Sequence, residues 1–387
     1  MEIIFNYLFS IIEQFGQDGY KILLAVYFLL MYKYWKLFIK EKILLSTIIF
    51  ILYGLILSCF CIDKNRAFYE MLGYIFGWTL PYFLGYTLLT KHNKEKIVFI
   101  TMAIFAAFIF VGLFSYYGLL PEKFWGIRFC EYNQLRICTF RVTFAAKATF
   151  MFIISSTLLL FYKNSSKFAK FWLCIFTVLF FIAILLSGSR IYYGVTALIS
   201  FFIFIFYTYK TKKVKPILYF SLTAVICCSY VYFSNPNIKK RIHVTSTTKD
   251  ISIVTRINMH KYAIDSFKKH PLFGLGPSQS TIQEEFSKIE KEKDKEQWHL
   301  HSIYLDTLSD FGLTGLLLFL IIIFLVIKNL FIIYNQYNSA FVLALIFAWI
   351  AILIGDYVDT VLADPFLSSL YFWFTGIALS KQKEENN

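Results

Sequence analysis

Charge, proline and glycine are all in short supply in this chain. Only 16% of its 387 residues are charged, and it has 7 prolines and 17 glycines. A soluble domain carries about 25% charged residues, so little of this chain is suited to face water. The shortage of proline and glycine excludes collagen-like, linker-rich and disordered classes. The 7 cysteines show no paired framework, which excludes a disulfide-stapled fold. What abounds is apolar: 58% hydrophobic residues, with 45 Phe and 27 Tyr, against ~45–50% apolar in a soluble domain. The net charge of +14 would suit a nucleic-acid partner only if it formed a basic stripe on a soluble domain. Here the charges fall in short clusters between long apolar runs, the layout of an all-α polytopic membrane protein.

A transmembrane helix needs roughly 17–25 mainly apolar residues. The runs predict about twelve transmembrane helices, near residues 3–15, 20–37, 43–61, 68–89, 97–119, 142–162, 168–186, 191–209, 216–233, 313–327, 340–355 and 366–380. The start, Met1-Glu2-Ile3-Ile4, lacks the basic region of a cleaved signal and reads as a retained first span. Lysines on alternate loops set the orientation. They are Lys33, Lys36, Lys40, Lys42, Lys91, Lys94, Lys96, Lys163, Lys167, Lys170, Lys210, Lys212, Lys213, Lys215, Lys328, Lys381 and Lys383. With these loops inside, both termini are cytoplasmic. The expected domains are 1–233 (spans one to nine), 234–301 (one large, partly helical outer loop) and 302–387 (spans ten to twelve and a short tail).

Arginine is divided differently. All seven, Arg66, Arg128, Arg136, Arg141, Arg190, Arg241 and Arg256, fall on the outer side of this topology. A guanidinium binds phosphate bidentately and stays charged, whereas lysine is a point charge. The split points to an anionic partner on the outer face, with chance placement as the alternative.

Three stretches carry chemistry. In Leu186-Ser187-Gly188-Ser189-Arg190 one apolar run gives way to the next without a hydrophilic loop. Arg190 is therefore a charge at the membrane boundary, functional or simply snorkelling. Thr255 to Pro271 reads as an amphipathic helix capped by Thr255, with Met259, Tyr262, Ala263, Ser266 and Phe267 on one face. Lys261, Asp265, Lys268 and Lys269 lie mainly on the others. It would lie flat on the membrane with Arg256 at its start, and Phe273-Gly274-Leu275-Gly276-Pro277 would turn tightly after it. A surface lid without chemistry is the other reading. Ile282, Phe286 and Ile289 suggest a second amphipathic piece, followed by a solvated, charge-balanced run at 288–296.

The third stretch, Trp298-His299-Leu300-His301-Ser302-Ile303-Tyr304-Leu305-Asp306, leads through Phe311-Gly312-Leu313-Thr314-Gly315 into a span. A histidine at a span entrance can act as a base near neutral pH. His299 shares a helical face with Ser302 and with Asp306 or Asp310. Catalytic zinc needs three protein ligands, and a third is not evident beside His299 and His301; no metal or other cofactor is expected. Asp356, Asp359 and Asp364 read as a solvated connector.

In these three stretches the chain resembles the O-antigen ligase superfamily of bacterial inner-membrane proteins. The resemblance rests on Ser187-Gly188-Ser189-Arg190, on Arg256 with His270-Pro271-Leu272-Phe273-Gly274-Leu275-Gly276, and on His301-Ser302-Ile303-Tyr304-Leu305 with Gly312-Leu313-Thr314-Gly315. It covers roughly 186–315. Arg136-Ile137-Cys138-Thr139-Phe140 is a weaker extension that lacks the family's small residues. The resemblance implies a GT-C-like fold and glycan transfer from an undecaprenyl-diphosphate carrier on the periplasmic face, inverting and metal-independent. Arg190 and Arg256 would hold the diphosphate and His301 would take the acceptor's proton. Arg136, Arg141, His299 and Tyr304 would be further contacts to the diphosphate or acceptor.

The large loop with its Arg256/His301 pattern favours a ligase acting on a lipid A-core hydroxyl. A polymerase joining carrier-linked repeat units is the alternative. A non-enzymatic lipid or polysaccharide transporter would instead place charges deep in its spans, where Lys147 is the clearest exception. An oxidising periplasm would allow Cys130 and Cys138 to pair.

Overall fold

The computed structural model describes residues 32–87, 91–124, 127–131, 134–135, 137, 141–162, 166–234, 251–283, 286 and 299–380. It is mostly helical. The helices are α1 (Trp35–Lys40), α2 (Lys42–Ser58), α3 (Lys64–Tyr74), α4 (Leu80–Thr87), α5 (Lys91–Tyr116), α6 (Arg141–Phe161) and α7 (Lys167–Ser187). Further along the chain come α8 (Arg190–Thr211), α9 (Lys215–Ser234), α10 (Ile251–Lys269), α11 (Ile303–Tyr337), α12 (Ala340–Gly355) and α13 (Pro365–Leu379). Helix occupies every apolar run predicted from residue 43 onward. The predicted run at 3–15 and most of that at 20–37 lie outside the described residues. Five helices among the described residues are long and apolar enough to cross a membrane: Lys96–Tyr116 within α5, then α6, α7, α8 and α11. Two antiparallel pairs of two-residue strands are added, Lys123–Phe124 with Ile127–Arg128 and Cys130–Glu131 with Gln134–Leu135.

The chain divides into two compact units. The first takes the residues up to Ile97, Asn258–Asn329 and those from Leu362 on. Its centre is aromatic. Phe50 of α2 stacks on Trp78 at 5.4 Å, Trp78 stacks on Phe372 of α13 at 5.4 Å, and Phe311 of α11 lies 5.1 Å from Phe50. Trp78 stands in a π-helical turn, Ile75–Thr79, between α3 and α4, and its indole N–H donates to the Leu362 carbonyl at 3.2 Å. A buried indole keeps its place only with such a partner.

The same unit contains a crossing made of backbone alone. Helix α11 breaks at Gly312 (φ 66°, ψ −168°), and Gly274 in the turn after α10 has φ 70°. Leu313 and Thr314 donate their N–H groups to the Pro271 and Leu272 carbonyls (2.9 and 3.3 Å), while Leu275 and Gly276 donate to the Ser309 and Asp310 carbonyls (3.0 and 2.8 Å). A Cβ at Gly274 would stand 2.5 Å from the Asp310 carbonyl, and one at Gly312 would stand 2.5 Å from that of Leu272. Two chains approach this closely only where both lack side chains. The tight turn expected at Phe273–Pro277 is thus present, and its partner is the broken helix.

The second unit comprises Val98–Ile257 and Leu330–Val361. Helix α6 is buried along Thr143–Thr157 and exchanges hydroxyl hydrogen bonds with its neighbours: Thr149 with Thr196 of α8 (3.1 Å), and Ser155 from Thr177 of α7 (3.1 Å). Such hydroxyl pairs join helices in apolar surroundings. Lys147 is buried within this helix.

Two sequence expectations need correction. Thr255 does not cap α10. The helix begins a full turn earlier, at Ile251, because Ile251-Ser252-Ile253-Val254 contains nothing that breaks a helix, and Thr255 is buried inside it. Nor are the three aspartates a solvated connector. Asp356 and Asp359 are buried, Asp356 accepts the Val361 N–H at 2.8 Å, and Asp364 caps α13 through the Phe366 N–H at 2.9 Å. A short connector between α12 and α13 has orphan N–H groups that water does not reach, and carboxylates supply the acceptors.

Candidate functional site

The Ser-Gly-Ser-Arg stretch is a helix-to-helix corner. Helix α7 ends on Gly188 in a left-handed conformation (φ 70°), the Ser187 hydroxyl accepts the Ser189 N–H at 3.2 Å, and α8 begins at Arg190. The Tyr193 hydroxyl, one turn into α8, donates back to the Leu185 carbonyl at 2.5 Å. Glycine permits the reversal without strain. As a result, Arg190 sits exposed at a helix N-terminus, where the unsatisfied N–H groups and the helix dipole also favour an anion.

Arg256 lies in the first half of α10 and belongs to the same unit. Its Nη2 is 3.3 Å from an Asp359 carboxylate oxygen, with the two side chains 20% and 12% exposed. Its Nε is buried and has no hydrogen-bond partner among the described residues. A buried guanidinium donor without an acceptor is costly, and a ligand oxygen would relieve it. Asp359 is the partner that sequence reasoning missed. The signal was its acidic cluster, interpreted as solvated.

Arg141, the first residue of α6, is half-buried and donates to the Gln134 side chain at 3.4 Å. Arg136 and Cys138 lie outside the described residues.

His299 and His301 belong to the first unit. The expected apolar face of α10 is present: Met259, Tyr262 and Ala263 bury against Phe286 and Leu300, while Lys261, Asp265, Lys268 and Lys269 are exposed. Tyr262 donates to the Ser280 carbonyl at 2.7 Å. The charged run expected at 288–296 falls outside the described residues.

Residues 299–302 form the entry to α11. His301 has φ 58°, a left-handed conformation that costs a non-glycine residue about 1–3 kcal/mol and persists only where its surroundings hold it. Its carbonyl oxygen stands 3.4 Å from His260 Nε2. Tyr304 is half-buried, edge-on to Phe319 at 6.2 Å.

Two carboxylates of α11 organise this entry. Asp310 accepts the N–H groups of Ser278 (3.1 Å) and Ser280 (2.8 Å), fixing the loop after the glycine turn. Asp306 accepts the Leu300 N–H at 2.7 Å through one oxygen, and its other oxygen faces His299 Nδ1 at 3.4 Å. His299 precedes α11 instead of sharing its face, yet it meets the aspartate expected for it. Burial lowers the proton affinity of His299, but the Asp306 carboxylate outweighs this. With Glu70 and Asp310 adding to the field, the imidazole is pushed up to about 9.

Arg66 of α3 borders the same loop. Its guanidinium donates to the Ser278 and Thr281 hydroxyls (3.0 and 2.7 Å), and Gln279 exchanges two hydrogen bonds with the Asp63 backbone. Sequence reasoning placed Arg66 on the outer face without this role. Its partners are over two hundred residues away.

The long apolar helices describe a membrane protein. Residues 175–320, somewhat more than a third of the chain, match the family model described as O-antigen ligase. The match bears out the resemblance drawn from the motifs, and it indicates a glycosyltransferase of the O-antigen ligase or polymerase kind. No curated protein matches the chain.

Proposed function

We propose that the chain is a ligase-type glycosyltransferase of the bacterial inner membrane. It moves a glycan from undecaprenyl diphosphate to a lipid A-core hydroxyl on the periplasmic face. The observation that carries this reading is Arg256: a guanidinium fixed by Asp359 with a buried Nε that has no partner among the described residues. A phosphate oxygen is the acceptor this donor lacks, and the charge that develops on the leaving diphosphate is what a preorganised guanidinium stabilises most. Arg190 supplies a second guanidinium together with the N-terminus of α8. Arg141, Arg136 and Tyr304 are further contacts to donor or acceptor.

His301 takes the proton of the acceptor hydroxyl. The bond from the anomeric carbon to the diphosphate oxygen breaks as the bond to the acceptor oxygen forms, and attack opposite the leaving group inverts the anomeric centre. The diphosphate departs as an anion paired with the arginines, and the reaction needs no metal. The left-handed strain at His301 supports a functional role, since such strain gathers at sites of chemistry.

Reconstitution with an undecaprenyl-diphosphate-linked glycan and purified lipid A-core, in the presence of EDTA, tests the reading. Transfer to the core is expected. Chain growth on the carrier alone would make the protein a polymerase, and loss of activity in EDTA would overturn the metal-free mechanism.

A further inference from the structure

The first unit holds charged side chains that the donor chemistry above leaves unused. Glu70 of α3, hydrogen-bonded by Tyr74, bears on the same imidazole as Asp306 and Asp310 of α11, and Arg66 bears on Glu70. His299 is 34% exposed, with Nδ1 directed at Asp306. Its Nε2 makes no hydrogen bond among the described residues, nor is it a buried orphan. Asp306 is pinned through its other oxygen by the Leu300 N–H, so the ring has an ion-pair partner at 3.4 Å on one side and an open donor on the other.

We propose that His299, held by Asp306, is a glycan-binding residue whose Nε2–H donates to a hydroxyl or ring oxygen of the sugar chain. This rests on the glycosyltransferase reading and names the part of the substrate that the histidine contacts.

Charge decides between a phosphate and a sugar at this position. Asp306, 3.4 Å from the ring, offsets the charge of the imidazolium, so the pair holds little net attraction for a phosphate. A hydroxyl needs no such attraction. It accepts from the imidazolium and can donate to a carboxylate such as the half-buried Glu70. Because the ring is pushed up to about 9, it is a donor at neutral pH and not a base, a role distinct from that of His301.

The test uses the full chain in lipid nanodiscs and three probes: undecaprenyl diphosphate without sugar, the same lipid carrying an oligosaccharide, and core oligosaccharide freed of lipid. His299→Gln should weaken a sugar-bearing probe roughly tenfold or more, the value of a charge-assisted hydrogen bond, and leave the bare lipid within about twofold. Weakening of the lipid-linked oligosaccharide assigns the contact to the donor glycan; weakening of the core oligosaccharide assigns it to the acceptor.

Wild-type affinity for the sugar probe should also fall as pH passes about 9. Asp306→Asn, which keeps the shape of the side chain, should move that fall to lower pH, a shift that a merely structural role would not produce. Equal weakening of bare and glycosylated lipid by His299→Gln, or weakening of none, overturns the inference while the donor reading stands. Failure of the wild-type chain to bind any of the three probes would refute both.

Discussion

Replacing Gly312 with alanine should be among the most damaging single substitutions in the first unit. At φ 66° and ψ −168° the backbone lies in a region that only glycine populates freely, and a side chain there costs about 1–3 kcal/mol. The added Cβ would also stand 2.5 Å from the Leu272 carbonyl and 2.6 Å from the Phe273 nitrogen, so the crossing must open. Opening it weakens the hydrogen bonds from Leu313 and Thr314 to Pro271 and Leu272, each worth about 1 kcal/mol. The loss comes to about 3–5 kcal/mol, a large share of the ~5–15 kcal/mol that stabilises a typical domain. Equilibrium unfolding in mild detergent measures it. Gly73→Ala is the control: its Cβ would meet nothing within 4 Å, and inside α3 it should be neutral or stabilising by up to about 1 kcal/mol. If Gly312→Ala unfolds within about 1 kcal/mol of the wild type, the argument from backbone contact is wrong.

Three other outcomes can be checked. His301→Ala should abolish glycan joining in cells at undiminished protein level, as scored by surface glycan on gels. Arg256→Lys keeps the charge but loses the fork, and it should reduce transfer at least about tenfold; equal rates for Lys and Arg would refute a bidentate role. Stability should depend on pH through His299. The folded protein pushes this imidazole up to about 9, above the ordinary histidine value of 6.5, so the pair's contribution is complete below pH 6.5 and disappears as pH rises through about 9. The wild-type unfolding midpoint should therefore fall between pH 7 and 9.5 more steeply than that of His299→Gln.

The apolar runs from residue 43 onward foretold helices because a 20-residue stretch that avoids water must satisfy its backbone internally. The face of α10 was equally legible, since Met259, Tyr262 and Ala263 recur at helical spacing. The start of that helix was not, because Thr255 has the chemistry of a cap but lies where the helix was already under way. Asp359 looked like one more acid in a connector, and only its approach to Arg256 gave it a role. Arg66 illustrates the same gap: its hydroxyl partners at Ser278 and Thr281 are remote in sequence.

By itself, then, the sequence determined the class of protein, the helices and the motifs, because these follow from local composition and periodicity. Tertiary structure alone decided which charges meet. It set Asp359 against Arg256 and Gly274 against Gly312 by folding distant segments into contact, and whether a carboxylate is solvated or buried beside a partner depends on that packing.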